Sequence, residues 1–165
     1  MTATLSYRPI TIEDMDFLYR LYISTRAEEM SHVPWDDQQK AVLLRQQFDA
    51  QHHQYRENYP NADFLVLVVD GKDAGRLYVA YDPDEVRVID ISLLSEFRGR
   101  GIGGSVLRGV LDKAGDRRVI LHVLSSNPAI RLYKRLGFEV VEVVEPYLRM
   151  QWTARSARDR SQTRR

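Results

Sequence analysis

Residues 86–105 read VRVIDISLLSEFRGRGIGGS: an apolar, β-branched run, a short polar turn and then four glycines that open a helix. The apolar run predicts a buried strand. Because Gly99, Gly101, Gly103 and Gly104 have no side chains, backbone N–H groups in this turn can lie close to an anion. The first turn of the following helix adds unpaired N–H donors and the positive end of the helix dipole. The segment therefore predicts a site for a phosphorylated ligand.

Two known glycine-rich patterns, those of dinucleotide-binding folds and of nucleoside-triphosphate loops, fit this segment only in part. Residues 99–104 fit G-x-G-x-x-G, but a dinucleotide-binding fold also needs repeated strand–helix alternation and an acidic residue about 20 positions further on. The chain offers only the apolar strand Leu121–Leu124 there. A nucleoside-triphosphate loop needs a Gly-Lys-Ser/Thr ending, which the segment lacks. A plain structural turn remains the simplest alternative.

Composition limits the classes of protein to consider. A chain of 165 residues, 44% of them hydrophobic, predicts one domain with one core. The longest apolar run, Phe64–Val69, is far shorter than the roughly 18 residues of a membrane helix. The N-terminal sequence also lacks a basic segment followed by an apolar one. We therefore expect a cytoplasmic protein without membrane contact. There is no cysteine, which excludes disulfides and a cysteine acyl-enzyme.

The charges are distributed unevenly. Residues 153–165 contain five arginines and one aspartate, so this end carries +4 of a chain whose net charge is +1. Such a segment could bind nucleic acid, but it has no large apolar residue, which favours a solvated, disordered tail. We therefore expect a domain over residues 1–152, a tail without assigned function over 153–165, and no nucleic-acid partner.

Periodicity gives the order of the remaining elements. Helices are predicted at 12–30, 36–59 and 127–136 and from the glycines to about 114, and strands at 64–69, 74–81, 86–94, 119–124, 138–144 and 147–152. One crossover helix between strands 86–94 and 119–124 makes them parallel neighbours. The fold class is therefore α+β.

The second helix carries a stripe that mixes apolar and polar residues. Its members are Leu44, Phe48, Gln51, His52, Tyr55 and Tyr59. His and Tyr have an apolar body and a polar tip, so the stripe fits both core packing and the lining of an acceptor pocket. Both interpretations stay open for one helix.

Two motifs together resemble those of the GNAT family, the Gcn5-related N-acetyltransferases. Arg98-Gly99-Arg100-Gly101-Ile102-Gly103 is similar to the family's R/Q-x-x-G-x-G/A motif, and residues 127–138, NPAIRLYKRLGF, resemble its Asn-x-x-Ala-x-x-x-Tyr-x-x-x-Gly-Phe segment. Two motifs in the right order are far more specific than either alone. The resemblance implies a mixed, mostly antiparallel sheet of six to seven strands with a parallel central pair, flanked by about four helices.

The resemblance also implies a donor and its contacts. The donor would be acetyl-CoA, used as co-substrate, with its pyrophosphate on the backbone of the glycine turn. The strand before the turn would offer main-chain groups to the pantetheine arm. The residues that would contact acetyl-CoA are Leu93, Ser95, Arg98, Gly99, Arg100, Gly101, Ile102, Gly103, Gly104, Ser105 and Asn127.

Two side chains are candidates for catalysis. Tyr133 matches the family's general acid, although a tyrosine at this helical spacing would pack in any fold. Asp90 is a carboxylate within an apolar strand, where desolvation would raise its pKa toward that of a useful base. The alternatives are a structural pair between Asp90 and Arg76 or Arg87, or a water relay through Asp90 or through Tyr55 and His52.

The remaining histidines give no metal site. His52 and His53 are adjacent on a helix and face different directions, and His122, between apolar strand residues, is interpreted as a core histidine. We expect no metal.

The predicted function is acetyl transfer from acetyl-CoA directly to a primary amine of a small or amino-acid-like acceptor. The alternative is a non-catalytic acyl-CoA-binding regulatory module. The acceptor and the oligomeric state, with a homodimer as one option, are not encoded in a motif.

Overall fold

The computed structural model describes residues 3–155. The strands are β1 (Leu5–Pro9), β2 (Asp63–Val69), β3 (Lys72–Tyr81), β4 (Glu85–Leu93), β5 (Arg118–Leu124), β6 (Glu139–Val144) and β7 (Tyr147–Trp152), and the helices are α1 (Met15–Ser31), α2 (Asp37–Asn58), α3 (Ile102–Ala114) and α4 (Ile130–Leu136). The seven strands follow the order β1-β2-β3-β4-β5-β7-β6 in one sheet. The predicted mixed α+β sheet with four helices is confirmed, and none of the helices in residues 3–155 is long and apolar enough to cross a membrane.

The chain divides into two compact units, and β3 and β4 each contribute residues to both. The first unit comprises residues 1–78 and 90–98, of which 3–78 and 90–98 are described. Its core includes Leu18 and Leu21 of α1 and Phe48 of α2, all fully buried. The rings of Tyr19 and Tyr22 pack against Phe48, with centroids 5.5 and 5.7 Å away. The predicted amphipathic helices are therefore core-forming.

The second unit comprises residues 79–89 and 99–165, described as far as 155. Here β4 and β5 pair in parallel, with Glu85–Val88 in register with Arg118–Leu121. Helix α3 connects them and buries one face, which includes Val106, Leu107, Val110, Leu111 and Ala114. The predicted parallel pair and its crossover helix are thus confirmed. The predicted tail lies outside the described residues beyond position 155.

Two elements differ from the sequence-based prediction. The order of elements predicted from periodicity lacked β1, which pairs antiparallel with β2, Leu5 opposite Val69. Helix α4 begins at Ile130 instead of residue 127, because Asn127 forms a capped turn: its Oδ1 accepts the N–H of Ala129 at 2.9 Å. An Asn side chain that binds a backbone N–H two residues on favours a turn over a helix.

A close backbone approach ties β3 to the end of β4. A Cβ on Gly75 would lie 2.1 Å from the carbonyl oxygen of Ser92. The N–H of Leu94 donates to the carbonyl of Ala74 at 2.8 Å just beyond this point. Only glycine fits, so Gly75 fixes where the end of β4 lies against β3 within the first unit.

The close backbone contact at Gly75 and the open space at Gly109 predict opposite effects on stability for substitutions at these two glycines. Gly75→Ala forces the backbone of residue 92 to move, and we expect a loss of about 2 kcal/mol or more in the free energy of unfolding. Gly109→Ala, in the exposed part of α3 where a Cβ meets nothing within 4 Å, should gain up to about 1 kcal/mol from helix propensity. Urea unfolding of both variants measures this; a Gly75→Ala protein as stable as the wild type would contradict the assignment.

Candidate functional site

In the second unit, the glycine turn leads into the N-terminus of α3. Gly99 and Gly101 have positive φ values of 72° and 78°, a left-handed backbone conformation that favours glycine. Gly101 is the N-cap residue, and it has no side chain that could cap the helix. The first intrahelical bond runs from the N–H of Ser105 to the carbonyl of Gly101 at 3.1 Å. The N–H groups of residues 102–104 therefore have no partner within the helix and are directed toward its end.

The other two glycines lie within α3, where α4 packs beside it. A Cβ on Gly103 or Gly104 would meet Leu132 of α4 at 3.6 Å, which is ordinary contact. Neither position therefore requires glycine for its backbone conformation or for space. All four glycines were attributed to the anion site from the sequence, whereas the turn geometry requires only Gly99 and Gly101.

The first unit holds the strand end that precedes this turn. Leu94 leads into a short 3-10 turn over Ser95–Phe97, and Phe97 is buried. Arg98 donates from its Nε to the carbonyl of Leu93 at 2.9 Å, which closes the turn back onto the end of β4. Leu93, Ser95 and Arg98, three of the predicted contacts, therefore belong to one local structure.

Tyr133 and Asn127 belong to the second unit. Tyr133 is the buried residue of α4, 6% exposed, and its ring lies 5.9 Å from that of Phe138. Gly137, with φ of 103°, ends the helix in the left-handed conformation that favours glycine. Asn127 is exposed, and its Oδ1 accepts the N–H of Ala129. The amide nitrogen is the hydrogen-bond donor of this side chain.

Asp90 lies in a partly buried polar cluster of the first unit. Its Oδ2 accepts hydrogen bonds from Nε (2.8 Å) and Nη2 of Arg76, and its Oδ1 accepts one from the hydroxyl of Ser92 at 3.0 Å. The structural pair with Arg76 that the sequence left open is therefore present. Arg87 pairs instead with Glu85 and lies 3.3 Å from His122 Nδ1.

Charge and burial oppose each other at Arg76. Burial acts to lower the pKa of Arg76, but the negative charge of Asp90 and its hydrogen bonds outweigh burial, so the pKa of Arg76 is raised. Tyr55 is packed edge-on against Tyr78, and burial raises the pKa values of both hydroxyls. These phenols stay protonated at neutral pH.

His122 is not a core histidine. It is exposed, although its strand neighbours Leu121 and Val123 are buried, because β5 is open to solvent at that side chain. In residues 3–155, no group of three or more His, Cys, Asp or Glu side chains is placed to hold a metal ion.

Comparisons with known proteins agree with this architecture. A family model described as the Acetyltransferase (GNAT) family matches residues 18–138, which is more than half of the chain. The chain belongs to this family and is an acyltransferase. The predicted resemblance is thereby confirmed.

Relatives and solved structures support the assignment. A protein of Bacillus subtilis (strain 168), provisionally named ribosomal protein bS18-alanine N-acetyltransferase, is 27% identical over 84% of this chain and 83% of its own length. An N-alpha-acetyltransferase of Sulfurisphaera tokodaii is 31% identical, over 55% of this chain and 71% of its own length. The PaiA N-acetyltransferase of Thermoplasma acidophilum, crystallised with coenzyme A, has the same fold: TM-score 0.70 and 16% identity, over 92% of this chain and 99% of that chain.

His52 predicts a pH dependence of stability. Burial and the charges of Arg56 and Arg76 lower the pKa of His52 below its ordinary value of 6.5. The unfolded chain then binds more protons than the folded one between these two pKa values, so stability falls as the pH drops through that window. Urea unfolding at about pH 7.5 and about pH 5.5 should show a smaller loss for His52→Gln than for the wild type. Equal losses would contradict the lowered pKa.

Proposed function

We propose that this chain transfers an acetyl group from acetyl-CoA directly to a primary amine, without a covalent enzyme intermediate. The observation that carries the proposal is the uncapped N-terminus of α3 behind two left-handed glycines, in a chain of the acetyltransferase family. The absence of cysteine from the sequence agrees with direct transfer.

The residues of the turn fit a pyrophosphate. The N–H groups of residues 102–104, which have no partner within the helix, would donate to phosphate oxygens. Because Gly99 and Gly101 have no side chains, the backbone of the turn can lie close to those oxygens. Arg98 and Arg100 add positive charge on either side of Gly99. Because the N–H of Ser105 is used within α3, Ser105 would contribute through its hydroxyl.

Leu93 and Ser95 would offer main-chain groups to the pantetheine arm, and the amide nitrogen of Asn127 would contact acetyl-CoA. When bound, acetyl-CoA supplies an acetyl thioester whose thiolate leaves without help from a protein nucleophile. Over the reaction a carbon–nitrogen bond forms, a carbon–sulfur bond breaks, and one proton moves from nitrogen to sulfur. The chain must provide a proton donor and a proton acceptor.

We assign the donor to Tyr133 and the acceptor to Asp90. The Tyr133 hydroxyl would protonate the departing thiolate, as its place in the Asn127–Phe138 motif suggests. Asp90 would meet the acceptor amine and take its proton, directly or through water. The water is the more natural route because both carboxylate oxygens already accept hydrogen bonds from the protein.

The acceptor we propose is a primary amine on a small or amino-acid-like molecule. Relatives whose names specify N-alpha and alanine acetylation support an α-amino group, and those named mycothiol acetyltransferase support a small-molecule amine. The cytoplasm remains the predicted location.

An acceptor screen tests the function. Full-length protein with acetyl-CoA is offered free amino acids, peptides with a free N-terminal alanine, amino sugars and polyamines, and the free thiol of CoA is measured. We expect at least one amine to raise thiol release well above the rate without acceptor. Tight binding of acetyl-CoA with no release for any amine would favour the regulatory module instead.

Gly101→Ala tests the donor site. A Cβ in the left-handed conformation costs about 1 kcal/mol and shifts the turn, so we expect the Kd for CoA to rise about fivefold or more. Calorimetric titration with CoA measures this, and Gly109→Ala in the same helix is the matched control with unchanged Kd. An unchanged Kd in Gly101→Ala would remove the turn from the binding site.

Tyr133→Phe tests the proton donor. Loss of the hydroxyl should lower kcat about tenfold or more, as for loss of a general acid, while the Kd for CoA stays within about twofold. The Phe side chain keeps the packing against Phe138, so thermal unfolding serves as the control for folding. A wild-type kcat would restrict Tyr133 to packing.

A further inference from the structure

Arg76 is a charged side chain in the interior of the first unit. It lies in β3 and is 3% exposed. A buried charge is unfavourable unless it is paired and hydrogen-bonded, and even a good buried pair contributes little net stability compared with apolar residues of the same size. Stability alone therefore gives a weak reason for a charge at this position.

The contacts of Arg76 orient Asp90. Two nitrogens of the guanidinium, Nε and Nη2, donate to the same carboxylate oxygen, Oδ2. Nη2 also donates to Oε1 of Gln51 in α2 at 2.8 Å. Ser92 binds the other carboxylate oxygen, so three residues from α2, β3 and β4 fix the carboxylate in one orientation.

Aromatic packing holds the guanidinium in turn. It lies over the ring of Tyr78, 4.7 Å from the centroid, and Tyr55 meets that ring edge-on at 6.0 Å. Tyr78 is 1% exposed, and within the described residues its hydroxyl has no hydrogen-bond partner. A buried polar atom without a partner is costly, which makes this cluster unlike an ordinary core.

The two members of the pair differ in exposure. The Arg76 side chain is 4% exposed, whereas that of Asp90 is 19% exposed. The carboxylate is therefore the end of the pair that a ligand can reach, and the guanidinium is the support behind it. This asymmetry is expected of a group that is held in place for use.

We propose that Arg76 is a positioning residue for acetyl transfer, which fixes the Asp90 carboxylate where it meets the acceptor amine, with Gln51 and Ser92 as its auxiliaries. The inference rests on the proposed function, because Asp90 is assigned there to the acceptor. It adds three residues that act on the amine only through Asp90.

The test compares two arginines that each donate from two nitrogens to one aspartate. Arg8 donates from two nitrogens to the buried Asp14, at 2.8 and 2.9 Å, and takes no part in the proposed chemistry. Arg76→Lys and Arg8→Lys each keep the charge and lose the two-nitrogen geometry. For both we measure kcat and KM with the amine found in the screen, the Kd for CoA, and thermal unfolding.

We expect Arg76→Lys to lower kcat about tenfold or more, while the Kd for CoA stays within about twofold. Arg8→Lys should keep the wild-type kcat, whatever its effect on thermal unfolding. If Arg76→Lys keeps a wild-type kcat, the pair is structural only and the inference is overturned. A wild-type protein that acetylates no amine would overturn the proposed function, and the inference with it.

A second pair of variants covers the case in which Arg76→Lys does not fold. Ser92→Ala removes one hydrogen bond to Asp90 and leaves the ion pair intact, whereas Ser92→Thr keeps the hydroxyl and suits a strand. We expect kcat to fall about threefold or more in Ser92→Ala and to recover in Ser92→Thr. Equal kcat values in both variants and the wild type would contradict a positioning role.

Discussion

The parallel pairing of β4 with β5 is the constraint on which the rest of the second unit depends. Parallel neighbours need a crossover, and α3 provides it with a face that is buried along its whole length. In the turn that leads into α3, Gly99 and Gly101 have left-handed conformations, and the N-cap residue Gly101 has no side chain to cap the helix. We propose that this turn, at the start of the crossover, binds the anion.

The first unit contains a different interaction, the partly buried pair of Arg76 and Asp90. The cost of removing the two charges from water is offset by the hydrogen bonds that Arg76 donates to Asp90 and by the contact of the guanidinium with the ring of Tyr78. Gly75, next to Arg76, lets the backbone of residue 92 approach β3, and the hydroxyl of the same Ser92 donates to the Asp90 carboxylate. The close backbone contact and the ion pair therefore involve neighbouring residues of β3 and β4.

Much of the fold could be predicted from the sequence because its signals are local. The apolar spacing of α3, the glycine turn and Gly137 as a helix end each follow from a few neighbouring residues. Strand β1 was missed because its five residues have a mixed pattern and pair with β2, about 60 positions away along the chain. The start of α4 was wrong because a side-chain hydrogen bond of Asn127 competes with the helix.

The candidate site was predicted less completely. A pairing of Asp90 with Arg76 was among the alternatives, but the roles of Gln51 and Ser92 depend on distances that no pattern supplies. A glycine inside β3 was a usable signal for a close backbone approach at Gly75. His122 was placed in the core from its apolar neighbours alone, because the sequence does not show which side of a central strand is left open.

Direct transfer of the acetyl group is the central claim, and a single-turnover experiment with isotopically labelled acetyl-CoA tests it most directly. Enzyme in excess over donor is mixed with an amine and quenched at intervals, and the label is followed on CoA, on the protein and on the amine by mass spectrometry. Direct transfer predicts that label lost from CoA appears on the amine nitrogen, with none on the protein at any time. Label that passes through a protein side chain, or that stays on CoA, would contradict it.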